Sequence, residues 1–150
     1  MTCSPETTNF YNRPILIVDD NPMDVELTRR AFERRHTANP IETLEDGTAA
    51  LEQIHEWEAG KLSPALILLD LKLPGASGFE VLKRLKIHPK FSRIPVIILT
   101  ASREDADEKV AYNLGANSYI VKPVDFDRLL QVTDQIEVYW TILDGLPEKS

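Results

Sequence analysis

The stretch ALILLDLKLPGASGFEVLKRLK, from Ala65 to Lys86, decides the fold. Its first five residues form a continuous apolar run, which is typical of a strand covered on both faces of a sheet. After a loop, apolar residues recur three apart at Phe79, Leu82 and Leu85, which predicts an amphipathic helix. The stretch therefore predicts one β-loop-α unit, with Asp70 at the end of its strand.

The same alternation recurs along the whole chain. Five short runs rich in Ile, Val and Leu alternate with amphipathic stretches, which indicates βα units in a parallel sheet of the α/β class. The runs are Ile15 to Val18, Ile41 to Leu44, Ala65 to Leu69, Val96 to Leu99 and Ser118 to Val121. The second and the last run are less continuously apolar, and we therefore expect them nearer the edges of the sheet.

Polar residues mark where several helices begin and end. Asn21 before Pro22 predicts an N-cap followed by a first-turn proline, and Gly115 predicts a helix end. Ser102 with Asp105 three residues later resembles a capping box, with Asp in place of Glu or Gln.

The last predicted helix begins near Asp125 and continues past Trp140. Tyr139, Trp140 and Leu143 near its end are candidate interface residues. They either extend beyond the body as an apolar patch for a partner or fold back onto the core. The spacing alone leaves both arrangements open.

The bulk composition is that of one globular domain. The chain has 150 residues, of which 43% are hydrophobic and 27% charged. We expect a flexible tail over residues 1–12, one domain over residues 13–143 with an extended last helix, and a tail over residues 144–150. We expect no attached DNA-binding or catalytic output domain.

Charge, cysteine content and hydropathy argue against several function classes. The formal net charge of −7 disfavours a nucleic-acid surface. The one cysteine, Cys3, can form neither an intrachain disulfide nor a cysteine metal site. The apolar runs are too short to cross a bilayer, and the N-terminal stretch has no apolar signal core. We therefore predict a soluble, cytoplasmic protein with no nucleic-acid or membrane partner.

Acidic, hydroxyl and basic residues follow four of the five runs, where an open parallel sheet binds its ligands. They are Asp19 and Asp20 after the first run, Asp70 after the third, Thr100 after the fourth, and Lys122 with Pro123 after the last. Converging carboxylates repel by about 4 kcal/mol per pair at about 4 Å and an effective dielectric of about 20. A hard divalent cation offsets this repulsion, and we expect Mg2+ because it prefers oxygen ligands and pairs with phosphate.

Lys122 and Thr100 complete the predicted site. Lys122 supplies a positive charge for a phosphoryl oxygen, and Thr100 supplies a hydroxyl hydrogen bond. Each of these residues alone would be a cap, a turn residue or a solvated side chain. The complete set, each member at a strand end, instead indicates a function.

These pieces resemble the receiver domains of bacterial two-component response regulators. The pieces are ILIVDD (Ile15 to Asp20), LILLDLKLPGASGFEVLKRLK (Leu66 to Lys86), IPVIILTAS (Ile94 to Ser102) and GANSYIVKPV (Gly115 to Val124). The resemblance covers most of the chain. It implies a flavodoxin-like (βα)5 fold, in which a doubly wound, parallel five-stranded sheet has the strand order 2-1-3-4-5.

The resemblance also implies roles for the acids. Asp70 would accept a phosphoryl group from a sensor histidine kinase. Asp20, Asp70 and the backbone carbonyl of Lys72 would bind Mg2+ directly, and Asp19 would hold a metal-bound water. The chain would then be a signalling protein and not an enzyme, although it would assist its own phosphorylation and autodephosphorylation.

The remaining site residues would respond to the phosphoryl group. Thr100 and Lys122 would contact it, and Tyr119 would turn inward as Thr100 moves, which makes the two residues a conformational switch. The Lys122 to Pro123 bond is similar to one that is cis in the family. Two positions that gate attacking water, Lys72 and Ser102, depart from the most familiar members.

A narrower resemblance points to the stand-alone regulators of phytochrome-type histidine kinases. It rests on VDDNPMDVELTRRAF (Val18 to Phe32), KIHPKFSRIPV (Lys86 to Val96) and VYWTILDGLP (Val138 to Pro147). It implies a homodimer formed by the last strand, its flanking helices and the C-terminal extension.

Three other interpretations explain the residues less well. An aspartyl-phosphate phosphatase needs a second Asp two residues after its nucleophile, where this chain has Lys72. A flavodoxin binds phosphate after its first strand, where Asp19 and Asp20 would repel it. A pseudo-receiver that binds partners without phosphate would not need the complete set of site residues.

Overall fold

A computed structural model of the chain describes residues 10–35 and 37–145, without the side chains of Tyr11 and of residues 141–145. Five strands alternate with five helices. The strands are β1 (Ile15–Val18), β2 (Ile41–Leu44), β3 (Leu66–Leu69), β4 (Val96–Thr100) and β5 (Ser118–Val121). The helices are α1 (Pro22–Arg34), α2 (Gly47–Glu58), α3 (Gly78–Lys86), α4 (Asp105–Asn113) and α5 (Phe126–Gly145). All five predicted strands are confirmed to within one residue at each end.

The strands form one parallel sheet in the order β2-β1-β3-β4-β5, which confirms the predicted flavodoxin-like topology. β2 and β5 lie at the edges, as their interrupted apolar patterns predict. Val18 pairs with Leu69, and Thr100 pairs with Val121. The carboxyl ends of these strands therefore lie along one rim of the sheet. The predicted site residues come directly after these ends in the sequence.

Helices cover both faces of the sheet because successive strand residues point to opposite sides. Phe32 of α1 and Leu129 of α5 pack on one face. Ile54 of α2, Leu82 of α3 and Ala111 of α4 pack on the other. None of the helices in the described part of the chain combines the length and apolar character needed to span a bilayer.

Two of the three predicted helix borders are confirmed. The Asn21 side chain accepts hydrogen bonds from the amides of Met23 and Asp24, with Pro22 at the first position of α1. Gly115 follows α4 with a positive φ of 110°.

The predicted capping box at the start of α4 is wrong. The helix begins at Asp105 behind an N-cap at Glu104, so Ser102 lies two residues before the cap. The Ser102 hydroxyl instead donates to Asp107 at 2.6 Å and accepts from the Glu104 amide at 3.3 Å.

The boundaries of the folded body differ from the prediction at both ends. Phe10–Asn12 forms a 3-10 turn in the predicted tail, and the Phe10 side chain is buried. Asn39 holds this turn, because its amide donates to the carbonyls of Phe10 and Arg13 at 2.6 and 2.8 Å. At the other end, α5 extends to Gly145. Residues 1–9 and 146–150 of the predicted tails lie outside the described residues.

Two of the candidate interface residues on α5 have different surroundings. Trp140 folds back: its ring nitrogen donates to the Ala65 carbonyl at 3.0 Å, and its ring meets Phe10 edge to face. Of the two predicted arrangements, Trp140 therefore adopts the one in which the side chain packs on the body, and it remains half-buried. Tyr139 is 48% exposed. The side chain of Leu143 lies outside the described ones.

Candidate functional site

Three carboxylates meet at the carboxyl ends of β1 and β3. Oxygens of Asp19, Asp20 and Asp70 all lie within 4.8 Å of one another. Asp19 and Asp70 are buried, whereas Asp20 is exposed. Backbone amides hold the two buried carboxylates: the Asn21 amide donates to Asp19 at 3.0 Å, and the Lys72 amide donates to Asp70 at 3.3 Å. The predicted convergence of these acids is thus observed.

The Lys122 ammonium lies among these acids. Its nitrogen is 2.8 Å from Oδ2 of Asp19 and 3.0 Å from Oδ2 of Asp70. A third carboxylate oxygen, Oδ2 of Asp24, lies at 2.9 Å. The sequence interpretation missed Asp24, although its place in the first turn of the helix that follows Asp19 was a usable signal. The peptide bond between Lys122 and Pro123 is cis, as the resemblance implies.

Burial and ion pairing set the charges of this group. Burial raises the pKa of the Asp19 carboxyl above its usual range, although hydrogen bonds from Lys122 and the Asn21 amide act against this rise. Burial lowers the pKa of Lys122, but hydrogen bonds to Asp19, Asp24 and Asp70 outweigh that effect and raise it above the ordinary lysine value. Lys122 is therefore a stable positive charge at neutral pH.

The side chains of Thr100 and Tyr119 both form hydrogen bonds with the backbone of Ser102. Thr100 is fully buried, and its hydroxyl oxygen accepts from the Ser102 amide at 3.3 Å. The Tyr119 ring is buried, and its hydroxyl donates to the Ser102 carbonyl at 3.2 Å. Burial raises the pKa of Tyr119, so the hydroxyl keeps the proton that it donates.

Two glycines fix the loop that follows Asp70 and carries Lys72. The Gly78 amide donates to the Leu71 carbonyl at 2.9 Å, and a Cβ on Gly78 would lie 2.2 Å from the Asp70 carbonyl oxygen. The Gly47 amide donates to the Pro74 carbonyl at 3.0 Å. The sequence interpretation missed both glycines. Glycine is common where a loop meets a helix, and the backbone atoms that these two glycines approach are known only from the folded structure.

The donor set at the rim fits a hard divalent cation. Carboxylate oxygens are the ligands that Mg2+ and similar ions prefer, and one exposed acid beside two buried ones leaves an approach from solvent. The Lys122 ammonium already balances part of the negative charge. A bound cation would balance the rest.

Comparison with known proteins agrees with this geometry. The family model of the response regulator receiver domain matches residues 15–134. The chain is 42% identical over 127 residues to the probable methanogenesis regulatory protein FilR2 of Methanothrix harundinacea, with 84% of this chain and 82% of that protein covered. It is 36% identical over 136 residues to the response regulator Rcp1 of Synechocystis sp., with 89% and 92% covered.

Solved structures show the same fold. The phosphorylated cyanobacterial phytochrome response regulator RcpA superposes with a TM-score of 0.73 at 34% identity, covering 91% of this chain and 99% of that one. The bacteriophytochrome response regulator AtBRR gives 0.73 at 39% identity, with 92% and 99% covered. The Mn2+-bound form of Rcp1 gives 0.71 at 33%, with 92% and 99% covered. The chain therefore belongs to the response regulator receiver domain family.

Proposed function

We propose that this chain is a single-domain response regulator that accepts a phosphoryl group on Asp70 in a Mg2+-dependent reaction. One observation carries the proposal: Asp70 lies 3.0 Å from the Lys122 ammonium and also within the carboxylate cluster with Asp19 and Asp20. Asp20, Asp70 and the Lys72 carbonyl would hold Mg2+, with Asp19 holding it through a water. The ion would supply positive charge to the transferring oxygens.

Asp70 is the nucleophile in this proposal. A carboxylate oxygen attacks the phosphorus of a phosphohistidine, so that an O–P bond forms as the P–N bond breaks. The electron pair leaves with the imidazole nitrogen, which takes up a proton from water. The Lys122 ammonium stabilises the charge on one transferring oxygen, and the Thr100 hydroxyl can donate to another.

Thr100 and Tyr119 would transmit the phosphorylated state as a switch. Both side chains form hydrogen bonds with the backbone of Ser102. A movement of Thr100 toward a phosphoryl oxygen would pull on the Ser102 amide and so change the position of the carbonyl that Tyr119 contacts. The side chain of Ser102 would carry the change to α4 through Asp107.

The partner in this proposal is a sensor histidine kinase of the phytochrome type, acting in the cytoplasm. The similarity to RcpA and AtBRR, which are phytochrome and bacteriophytochrome response regulators, supports this choice. The chain would act as the acceptor in a relay and would assist its own phosphorylation and autodephosphorylation.

A homodimer through β5, its flanking helices and the C-terminal extension is part of the proposal. β5 is an edge strand, and α4 and α5 beside it expose apolar side chains. These are Val110, Tyr112, Val138 and Tyr139. Aromatic residues are enriched in protein interfaces, which makes Tyr139 the main candidate.

Intact-mass analysis after incubation with acetyl phosphate and Mg2+ tests the proposal. The wild type is expected to gain one phosphoryl group, and Asp70→Asn is expected to gain none. Asp127→Asn, which removes an acid from the first turn of α5, serves as a matched control that still gains one. Chelation with EDTA should abolish the gain.

Two outcomes would contradict the assignment. A phosphorylated Asp70→Asn variant would place the acceptor elsewhere. A wild-type chain that never gains mass, with Mg2+ present, would identify a pseudo-receiver that binds partners without phosphate.

A further inference from the structure

The Lys122 ammonium contacts three carboxylate oxygens, as many as it has N–H donors. The oxygens belong to Asp19, Asp24 and Asp70, at 2.8, 2.9 and 3.0 Å, and the lysine side chain is only 12% exposed. A new contact with a phosphoryl oxygen therefore requires that one existing contact be given up.

Asp24 differs from the other two acids that contact Lys122. Asp19 and Asp70 belong to the cluster that can hold a cation, together with Asp20, and Asp24 does not. It lies in the first turn of α1, and its side chain is 30% exposed. Solvent can therefore hydrate the Asp24 carboxylate when Lys122 leaves it.

We propose that Asp24 is a positioning residue that occupies one N–H donor of Lys122 in the unphosphorylated protein and so withholds that donor from a phosphoryl oxygen. The inference rests on the proposed function of Asp70 as phosphoacceptor. The incoming phosphoryl group carries more negative charge than one carboxylate. It therefore accepts the hydrogen bond from the Lys122 N–H group that Asp24 had accepted before. Asp24 thus slows phosphorylation by competing for the ammonium.

The rate of phosphorylation by acetyl phosphate, at saturating magnesium chloride, tests this role. Asp24→Asn keeps the shape of the side chain but removes its charge, and it is expected to raise the rate by about fivefold. Glu26→Gln removes the same charge from the same helix, where Glu26 pairs only with solvent-exposed Arg30 among the contacts described. It should leave the rate unchanged. An unchanged or lower rate in Asp24→Asn would overturn the proposal.

The same substitution in a variant without the lysine separates a positioning role from simple repulsion between Asp24 and the anionic acetyl phosphate. In Lys122→Met, which is expected to react more slowly, adding Asp24→Asn should no longer accelerate phosphorylation. The same fivefold gain without the lysine would show that Asp24 acts as a through-space charge, which contradicts a positioning role.

A measurement on metal-free protein does not depend on phosphorylation. The Lys122 ammonium should give a 15N-lysine NMR signal, because three carboxylates protect its protons from exchange with water. Asp24→Asn is expected to lose that signal and Glu26→Gln to keep it. A persistent signal in Asp24→Asn would count against the proposal.

The failures of the two proposals differ. If the wild type is not phosphorylated at all, the acceptor role of Asp70 is wrong. If it is phosphorylated and Asp24→Asn reacts no faster, only the positioning role of Asp24 is wrong.

Discussion

Two half-buried lysines show how the surroundings of a residue set its pKa. Lys122 lies among carboxylates, which raise its pKa. Lys86 donates to two backbone carbonyls, those of Ser92 and Ile94, at 3.1 and 2.7 Å. Burial lowers the pKa of Lys86 from 10.5 to about 8. A carbonyl dipole compensates less of the cost of burying a charge than a carboxylate does.

The lowered pKa of Lys86 predicts a pH-dependent stability. Below pH 8 both the folded and the unfolded chain hold the proton, and the folded state bears the cost of the buried charge. Between about 8 and 10.5 the unfolded chain binds more protons, so this residue makes the free energy of unfolding rise with pH. Relative to Lys86→Arg, which cannot lose its charge, the wild type should gain about 1 kcal/mol between about pH 7 and 9.5, after discounting for solvent.

Urea unfolding at the two pH values measures this difference. Lys83→Arg, on the exposed side of the same helix, should show none. A difference between wild type and Lys86→Arg that is equal at both pH values would mean that Lys86 does not titrate in this range.

The sequence predicts site residues that directly follow a strand better than site residues that lie in a helix. Asp19, Asp70 and Thr100 were predictable because parallel strands bring their carboxyl ends to one rim. Asp24 was not, because its contact with Lys122 depends on how the first turn of α1 is oriented over the rim. The place of Asp24 in the first helix turn after β1 signals that it lies near the rim, but not which side chain it contacts.

At the scale of elements, glycine contacts hold the loop between β3 and α3 in place. Gly47 and Gly78 are the first residues of α2 and α3. A Cβ on Gly47 would lie 1.8 Å from the Ala76 carbonyl oxygen, and a Cβ on Gly78 would lie 2.2 Å from the Asp70 carbonyl oxygen. The loop that presents the Lys72 carbonyl is thus fixed from both sides.

Gly78→Ala tests this close approach. Helix propensity alone predicts that alanine stabilises the chain by up to about 1 kcal/mol. The clash with the Asp70 carbonyl instead predicts a loss of about 2 kcal/mol in the free energy of unfolding. It also predicts slower phosphorylation, because the backbone of Asp70 must shift. Urea unfolding and the acetyl phosphate assay measure the two effects.

Lys83→Ala, an exposed change in the same helix, is the control and should cost less than about 0.5 kcal/mol. A more stable Gly78→Ala chain would show that the helix moves without cost.

The two helices beside β5 show what pattern alone could not decide. The sequence predicted where both helices lie, but not how α4 begins, because Ser102 bonds with Asp107 and not with the expected partner. For α5, the apolar spacing was equally compatible with an exposed apolar patch and with an end of the helix that packs on the core. The choice depended on Phe10 and Ala65, which come from a distant turn and strand border and meet Trp140 only in the folded chain.

At the scale of the whole molecule, the sheet has two covered faces and two edges of different character. β2 at one edge is half-buried and carries Glu42 and Thr43. β5 at the other edge is largely buried and is flanked by helices with exposed apolar residues. Joining two copies at the β5 side would cover that apolar surface, whereas joining them at β2 would cover polar groups.

Light scattering on paired variants of neighbouring residues tests the dimer. The wild type should show about twice the 17.0 kDa mass of the chain. Tyr139→Ser removes an exposed ring, so it should raise the dimer dissociation constant by about tenfold or more with little effect on unfolding. Trp140→Phe loses the hydrogen bond to Ala65, so it should lower the free energy of unfolding by about 1 kcal/mol and leave the dimer intact. A strict monomer, with and without phosphate, would refute the dimer, because the apolar side of β5 would then remain exposed in both states.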